Sequence, residues 1–163
     1  MIQLSPFSFS NDAAAGRLMP EEAEFLAIDA AATHISPDDS SDVDARLDEL
    51  STCETFILKA EGRRLIGTLA IYERSDRVMW LDSLAIRASQ RSRGVGGAAL
   101  GWVESIAKER NCVAVMGRAW AEPKTIGFYT RNNYDFLGDS GRSKYLLVRK
   151  PISADSSSLS AGS

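Results

Sequence analysis

Between an apolar run that ends at Ile86 and a helical stretch from about residue 95 stands Arg91-Ser92-Arg93-Gly94-Val95-Gly96-Gly97. Glycines at a strand-to-helix turn let the backbone approach a ligand, and the first N–H groups of a helix lack intrahelical partners. With the helix dipole, those N–H groups form a cradle for phosphate. Arg91 and Arg93 add two charges suited to phosphate oxygens. The candidate binding set is therefore Arg91, Arg93, Gly94, Val95, Gly96, Gly97 and Ala98. A glycine-rich turn with solvated arginines is the plainer alternative. Gly94-x-Gly96-x-x-Ala99 also fits the degenerate dinucleotide fingerprint, but a meander precedes it and Ala114-Val115-Met116 stands where a ribose-binding acid belongs. A Walker phosphate loop needs Gly-Lys-Ser/Thr, and here Gly96 is followed by Gly97 and Ala98.

Acid–base chemistry has fewer candidates. Asp82 interrupts the apolar segment VMWLDSLAI, where a carboxylate can accept a proton directly or through water. A surface or paired carboxylate is the alternative. Glu73 is the second candidate base and Glu122 the third. His34 reads as a capping or surface residue, with a role beside a bound substrate as its alternative. Cys112 begins an apolar run and reads as packing, because no second His is present to activate it. Of Trp80, Trp102 and Trp120, the last stands at a strand end and is the one expected beside a bound substrate.

The elements that carry these residues follow from periodicity. A short strand at about 2–9 is weakened by Pro6, and Pro20 with Glu21, Glu22 and Glu24 starts a helix. The loop SPDDSSD (36–42) supplies caps for a second helix at about 43–51. Strands are expected at 55–60, 65–73 and 78–86, joined by the short turns 61–64 and 74–77 that imply antiparallel neighbours. A helix at about 95–110 and a strand at 112–120 make a right-handed crossover to a parallel neighbour. A helix at about 123–133 and strands at 134–138 and 144–150 complete the order βααβββαβαββ, an α/β chain with a mixed sheet. Residues 1–152 read as a single domain, and the Ser-rich stretch 153–163 as a disordered tail.

Composition excludes several classes. The 163 residues carry 19 Lys and Arg against 22 Asp and Glu, a net charge of −3 that argues against general nucleic-acid binding. With 44% apolar and 25% charged residues the chain is an ordinary globular one. Cys53 and Cys112 are the only cysteines and His34 the only histidine, so neither a disulfide framework nor a metal site is expected. No apolar run approaches the ~18 residues of a membrane span, and no secretory signal opens the chain. The expectation is a cytoplasmic protein with no membrane partner.

Arg91-x-x-Gly94-x-Gly96 resembles the Q/R-x-x-G-x-G/A signature of the GNAT N-acetyltransferase superfamily. LDSLAI (81–86) resembles the strand that precedes that signature, and IGFYTRNNYDF (126–136) resembles the family's later F-Y-x-x-x-G-F segment. Asn133 stands where that segment has Gly, and Asn tolerates the left-handed conformation. Glu122-Pro123 stands where the family often has Asn.

The resemblance implies an antiparallel meander followed by a splayed parallel strand pair, 78–86 and 112–120, with acetyl-CoA as co-substrate. The pantetheine amides would bond the backbone of Leu84, Ala85 and Ile86, and Tyr129 would be the general acid for the thiolate, a buried aromatic being its alternative. Asp82 or Glu73 would take the amine's proton, unless water alone does so. The implied activity is acetyl transfer to a primary amine of a small molecule, protein or peptide, by direct attack in a ternary complex. A non-catalytic acyl-CoA sensor is the rival, and a transferase acting on aminoacyl-tRNA is disfavoured by the negative charge. Asp38, Asp39, Asp42, Asp44, Asp48 and Glu49, against Arg46 alone, suggest a cationic acceptor, a solvated acidic loop being the alternative. A homodimer is compatible with the sequence.

Overall fold

The computed structural model describes residues 2–139 and 144–153, so the expected disorder of the tail falls, from residue 154 on, outside the described residues. The elements are β1 (Gln3–Phe7), α1 (Pro20–Thr33), α2 (Ser40–Ser51), β2 (Glu54–Lys59), β3 (Leu65–Glu73), β4 (Val78–Ile86), α3 (Val95–Glu109), β5 (Ala114–Trp120), α4 (Pro123–Arg131), β6 (Asp135–Asp139) and β7 (Tyr145–Pro151). Their order is the expected one. The strands are ordered β1-β2-β3-β4-β5-β7-β6, with β4 and β5 parallel and the pairs β1–β2, β2–β3, β5–β7 and β6–β7 antiparallel. This is the mixed α/β sheet of the sequence reading.

Two compact units share the chain: Met1–Tyr72 with Asp82–Ala99, and Glu73–Leu81 with Leu100–Ser163. In the first, Phe25, Leu26, Ile28, Leu50, Ile57, Leu65, Ala70 and Ala85 form the core. Phe7, Phe9 and Phe25 meet as an aromatic trio at centroid distances of 5.1–5.2 Å, which fastens β1 to α1. Pro6 is tolerated because β1 stands at the sheet edge. Helix α2 begins at Ser40, three residues earlier than expected (about 43), because Asp39 accepts hydrogen bonds from the backbone N–H groups of Ser41 and Asp42. The turn between β2 and β3 carries a register shift at Leu58/Lys59 and Gly62 at φ 81°.

In the second unit, Met79, Leu81, Val103, Ala107, Val115, Tyr129, Tyr134 and Val148 are buried. The parallel ladder runs over Val78↔Ala114 to Leu81↔Gly117, and Asp82–Ile86 continue β4 beyond it. Gly117 sits at its end, where a Cβ would lie 2.9 Å from the Leu81 carbonyl oxygen. Strand β5 starts at Ala114, two residues later than expected (112). The Cys112 N–H still belongs to the close of α3, donating to the Ala107 carbonyl at 2.8 Å.

Candidate functional site

Beyond β4 the backbone turns sharply and is held on both sides. The Arg87 N–H donates to the Ile66 carbonyl at 2.8 Å, its Nε donates to the Leu65 carbonyl at 3.0 Å, and its guanidinium pairs with Glu24 of α1. Arg91 folds back so that its Nε donates to the Ile86 carbonyl at 3.1 Å. Ser92 (φ 63°) and Gly94 (φ 77°) are both left-handed, and, its own residue and chain neighbours aside, no atom of the described residues lies within 4 Å of where a Cβ on Gly94 would stand. The Ala98 N–H donates to the Gly94 carbonyl at 3.1 Å, which is the first turn of α3. The N–H groups of Val95, Gly96 and Gly97 therefore precede the helical ladder, at the positive end of a 15-residue helix. Arg91 and Arg93 are exposed beside them. This donor set fits a diphosphate: backbone N–H groups, an open approach over glycine and two guanidinium groups.

Asp82 follows four residues after β4 begins and its side chain is 21% exposed. Its Oδ2 accepts from Arg46 Nη1 at 2.8 Å, so the paired carboxylate is the alternative the structure displays. Arg46 is 3% exposed, and each of its five N–H groups has an acceptor. Nε and Nη2 hold the two oxygens of Asp29 at 2.7 and 2.8 Å, Nη2 also reaches Ser83 Oγ at 2.9 Å, and Nη1 serves Glu49 at 2.9 Å besides Asp82. Ser83 Oγ in turn donates to Asp29 at 3.0 Å, and Asp29 is fully buried. Burial alone would weaken the charge on Arg46, but the hydrogen bonds and charges of Asp29 and Asp82 outweigh it and raise its pKa. None of Arg46, Asp29 or Ser83 was a sequence candidate for the site. The available signal was helical phase, since Arg46 shares the inward face of α2 with Val43, Leu47 and Leu50.

The acids of the stretch 36–50 take different roles. Asp39 caps α2, Asp42 accepts from the Ser36 N–H at 3.0 Å, and Glu49 pairs with Arg46. Asp38, Asp44 and Asp48 are exposed. His34 closes α1 in a left-handed conformation (φ 57°), its N–H donating to the Ala30 carbonyl, as the capping reading expects.

The second unit holds the other candidates. Tyr129 is the inward-facing member of the Phe128–Tyr129 pair, 7% exposed, with ring contacts to Phe128 at 5.1 Å and Tyr134 at 5.4 Å. Burial pushes its hydroxyl up to about 12, so it carries its proton throughout the neutral range. Tyr134 donates to Glu104 at 3.3 Å, Glu104 pairs with Lys150, and Lys150 also donates to the Asn132 carbonyl at 3.2 Å. Burial first, and then the Glu104 charge, raise the Tyr134 pKa. Asn133 is left-handed at φ 66°, as the sequence requires of it. Glu73 is exposed and accepts from Cys112 Sγ at 3.4 Å, while burial and that carboxylate push the Cys112 thiol up. Glu122 is the N-cap residue of α4, ahead of Pro123, and Trp120 packs its ring 4.3 Å from Tyr145. Among the described residues no His, Cys, Asp or Glu cluster could hold a metal, and no helix is long and apolar enough to cross a membrane.

The model of the acetyltransferase (GNAT) family matches residues 23–134, which include the glycine turn, Asp82 and Tyr129. The chain belongs to that family. It shares its fold with a GNAT acetyltransferase from Elizabethkingia anophelis with acetyl-CoA bound, at 14% identity, TM-score 0.66 and coverage of 93% of this chain and 98% of the other. The ribosomal-protein-S18-alanine N-acetyltransferase of Escherichia coli aligns at 15% identity and TM-score 0.67, over 94% and 95% of the two chains. Nourseothricin acetyltransferase aligns at 19% identity and TM-score 0.55 over 63% of this chain, which spans 66% of that one. No curated protein matches by sequence. Of the GNAT candidates, the cradle, Leu84–Ile86 and Asp82 lie in the first unit, and Tyr129, Glu73 and Glu122 in the second.

Proposed function

We propose that this GNAT protein is an enzyme that transfers the acetyl group of acetyl-CoA to a primary amine by direct attack in a ternary complex. The observation that carries the reading is the turn into α3, where left-handed Gly94, the N–H groups of Val95–Gly97 and two exposed arginines fit a diphosphate. Bound acetyl-CoA supplies a thioester carbonyl carbon that a neutral amine can attack. Residues 94–98 with Arg91 and Arg93 hold the diphosphate, and the backbone of Leu84, Ala85 and Ile86, beyond the parallel ladder, takes the pantetheine amides as an added strand. Backbone N–H groups near Ile86 stabilise the carbonyl oxygen as it gains charge.

The C–N bond forms as the C–S bond breaks. Tyr129 gives its hydroxyl proton to the departing sulfur, a role its burial-raised pKa permits at neutral pH. The proton lost by the amine passes to Asp82 or to water. Glu73, which accepts from Cys112, and Glu122, exposed ahead of α4, are the second and third candidate bases.

The acceptor is a small-molecule, protein or peptide amine of cationic character, favoured by exposed Asp38, Asp44 and Asp48. Nucleic acid and membrane are not partners. The setting is the cytoplasm, and residues 1–152 act as one N-acetyltransferase domain. A thiol-release assay with acetyl-CoA and a panel of polyamines, aminoglycosides and lysine or N-terminal peptides tests the reading. Amine-dependent release of CoA thiol is expected. Acetyl-CoA binding with no release toward any amine would instead favour a sensor.

A further inference from the structure

Asp82 reaches its position through a buried relay rather than through its own strand alone. Arg46 of α2 uses its whole donor set: Asp29 of α1 takes two bonds at 2.7 and 2.8 Å, Ser83 of β4 one at 2.9 Å, Glu49 one at 2.9 Å, and Asp82 one at 2.8 Å. The anchoring side is over-determined, because Ser83 accepts from Arg46 while donating to Asp29 at 3.0 Å. Arg46, Asp29 and Ser83 are 3%, 0% and 6% exposed, whereas the Asp82 side chain is 21% exposed. A buried anchor thus ends in two solvent-reaching carboxylates, Asp82 on β4 and Glu49 on α2 itself.

We propose that Arg46 is a positioning residue for the acceptor side of the reaction: its fork, anchored on Asp29 and Ser83, fixes the Asp82 carboxylate that receives the amine. The inference rests on the proposed acetyl transfer and on Asp82 taking the amine's proton. A rigid planar fork with five donors can join four acceptor residues at fixed angles, which the three donors of a lysine ammonium on a flexible stem cannot do. Among the described residues Asp82 pairs with Arg46 of α2, Glu49 of α2 and Asp29 of α1 share the same guanidinium, and the Asp82 charge acts on Cys53 after α2. Arg46 is the only cation among them, so loosening it leaves the Asp82 carboxylate among acids.

The test compares the full chain with Arg46→Lys, Ser83→Ala and Asp82→Asn, each first checked for parental thermal unfolding. Arg46→Lys keeps the charge and loses the fork. Its kcat for the amine should fall ten-fold or more, while KM for acetyl-CoA should stay within two-fold. A folded Arg46→Lys enzyme with the parental kcat overturns the proposal. Ser83→Ala leaves every charge in place and covers the case in which Arg46→Lys does not fold. A three-fold or larger drop in kcat at unchanged acetyl-CoA KM supports the relay, and parental kcat overturns it. Crystal structures without substrate give a reading independent of turnover: a displaced or multiply placed Asp82 side chain in Arg46→Lys supports positioning, and one parental position overturns it. Asp82→Asn separates the two layers. Full activity there defeats the assignment of Asp82 itself, whereas loss in Asp82→Asn with parental Arg46→Lys defeats only the positioning role.

Discussion

Tyr129 carries the sharpest consequence of a single side chain. Its hydroxyl is pushed up to about 12 by burial, so a tyrosinate does not limit the free enzyme anywhere in the neutral range. Tyr129→Phe keeps the ring against Phe128 and Tyr134 and removes only the proton. Turnover should fall by roughly 10²-fold or less while acetyl-CoA affinity is nearly kept, as read by steady-state kinetics and calorimetry. Full activity across pH would take Tyr129 out of the mechanism. Asn133 makes a second residue-scale demand, because it is left-handed at φ 66° in the turn that leads to buried Tyr134. Asn133→Ala should cost about 1–2 kcal/mol of stability and Asn133→Gly little or none, measured by thermal unfolding. Equal losses in both variants would show that the Asn side chain, not its backbone, matters there.

At the scale of elements, α2 shows where sequence reading stops. Its acids looked alike in the run SPDDSSDVDARLDEL, yet Asp39 caps, Asp42 holds the Ser36 N–H and Glu49 pairs, leaving Asp38, Asp44 and Asp48 exposed. Recruitment of a cationic acceptor is therefore tested with Asp38→Asn/Asp44→Asn/Asp48→Asn, which removes charge without removing the cap. KM for a cationic amine should rise with ionic strength in the parent, over a Debye length of ~8 Å at physiological salt, and respond less in the triple variant. The same salt response in both would leave the stretch a solvated helix face. The strands β3 and β4 and the glycine turn were legible because periodicity and glycine spacing are local properties. Arg46 was not. Its partners lie 17 and 36 residues away in sequence, and a lone arginine in an acidic run looks solvated until the helix phase places it among Val43, Leu47 and Leu50. The aromatic trio of Phe7, Phe9 and Phe25 escaped for a similar reason, since it joins a short edge strand to a helix across the chain.

At the scale of the molecule, the two compact units are cut from one chain at the end of β3, at Tyr72/Glu73, in the middle of β4, at Leu81/Asp82, and inside α3, at Ala99/Leu100. Neither unit can unfold without breaking a strand and a helix that continue into the other. Calorimetric unfolding should therefore be a single transition with equal calorimetric and van't Hoff enthalpies. Two separated transitions would contradict the reading of 1–152 as one domain. The family match over residues 23–134 takes in parts of both units. In the proposed function the turn into α3 grips the acetyl-CoA diphosphate. The most direct measurement is calorimetric titration of acetyl-CoA into the parent and into Gly94→Val, whose β-branched side chain opposes φ 77° and fills the open side of the turn. Saturable binding in the parent, weakened ten-fold or more in a folded Gly94→Val, is the result expected. Equal affinity in the two proteins would place the cofactor elsewhere and contradict the account.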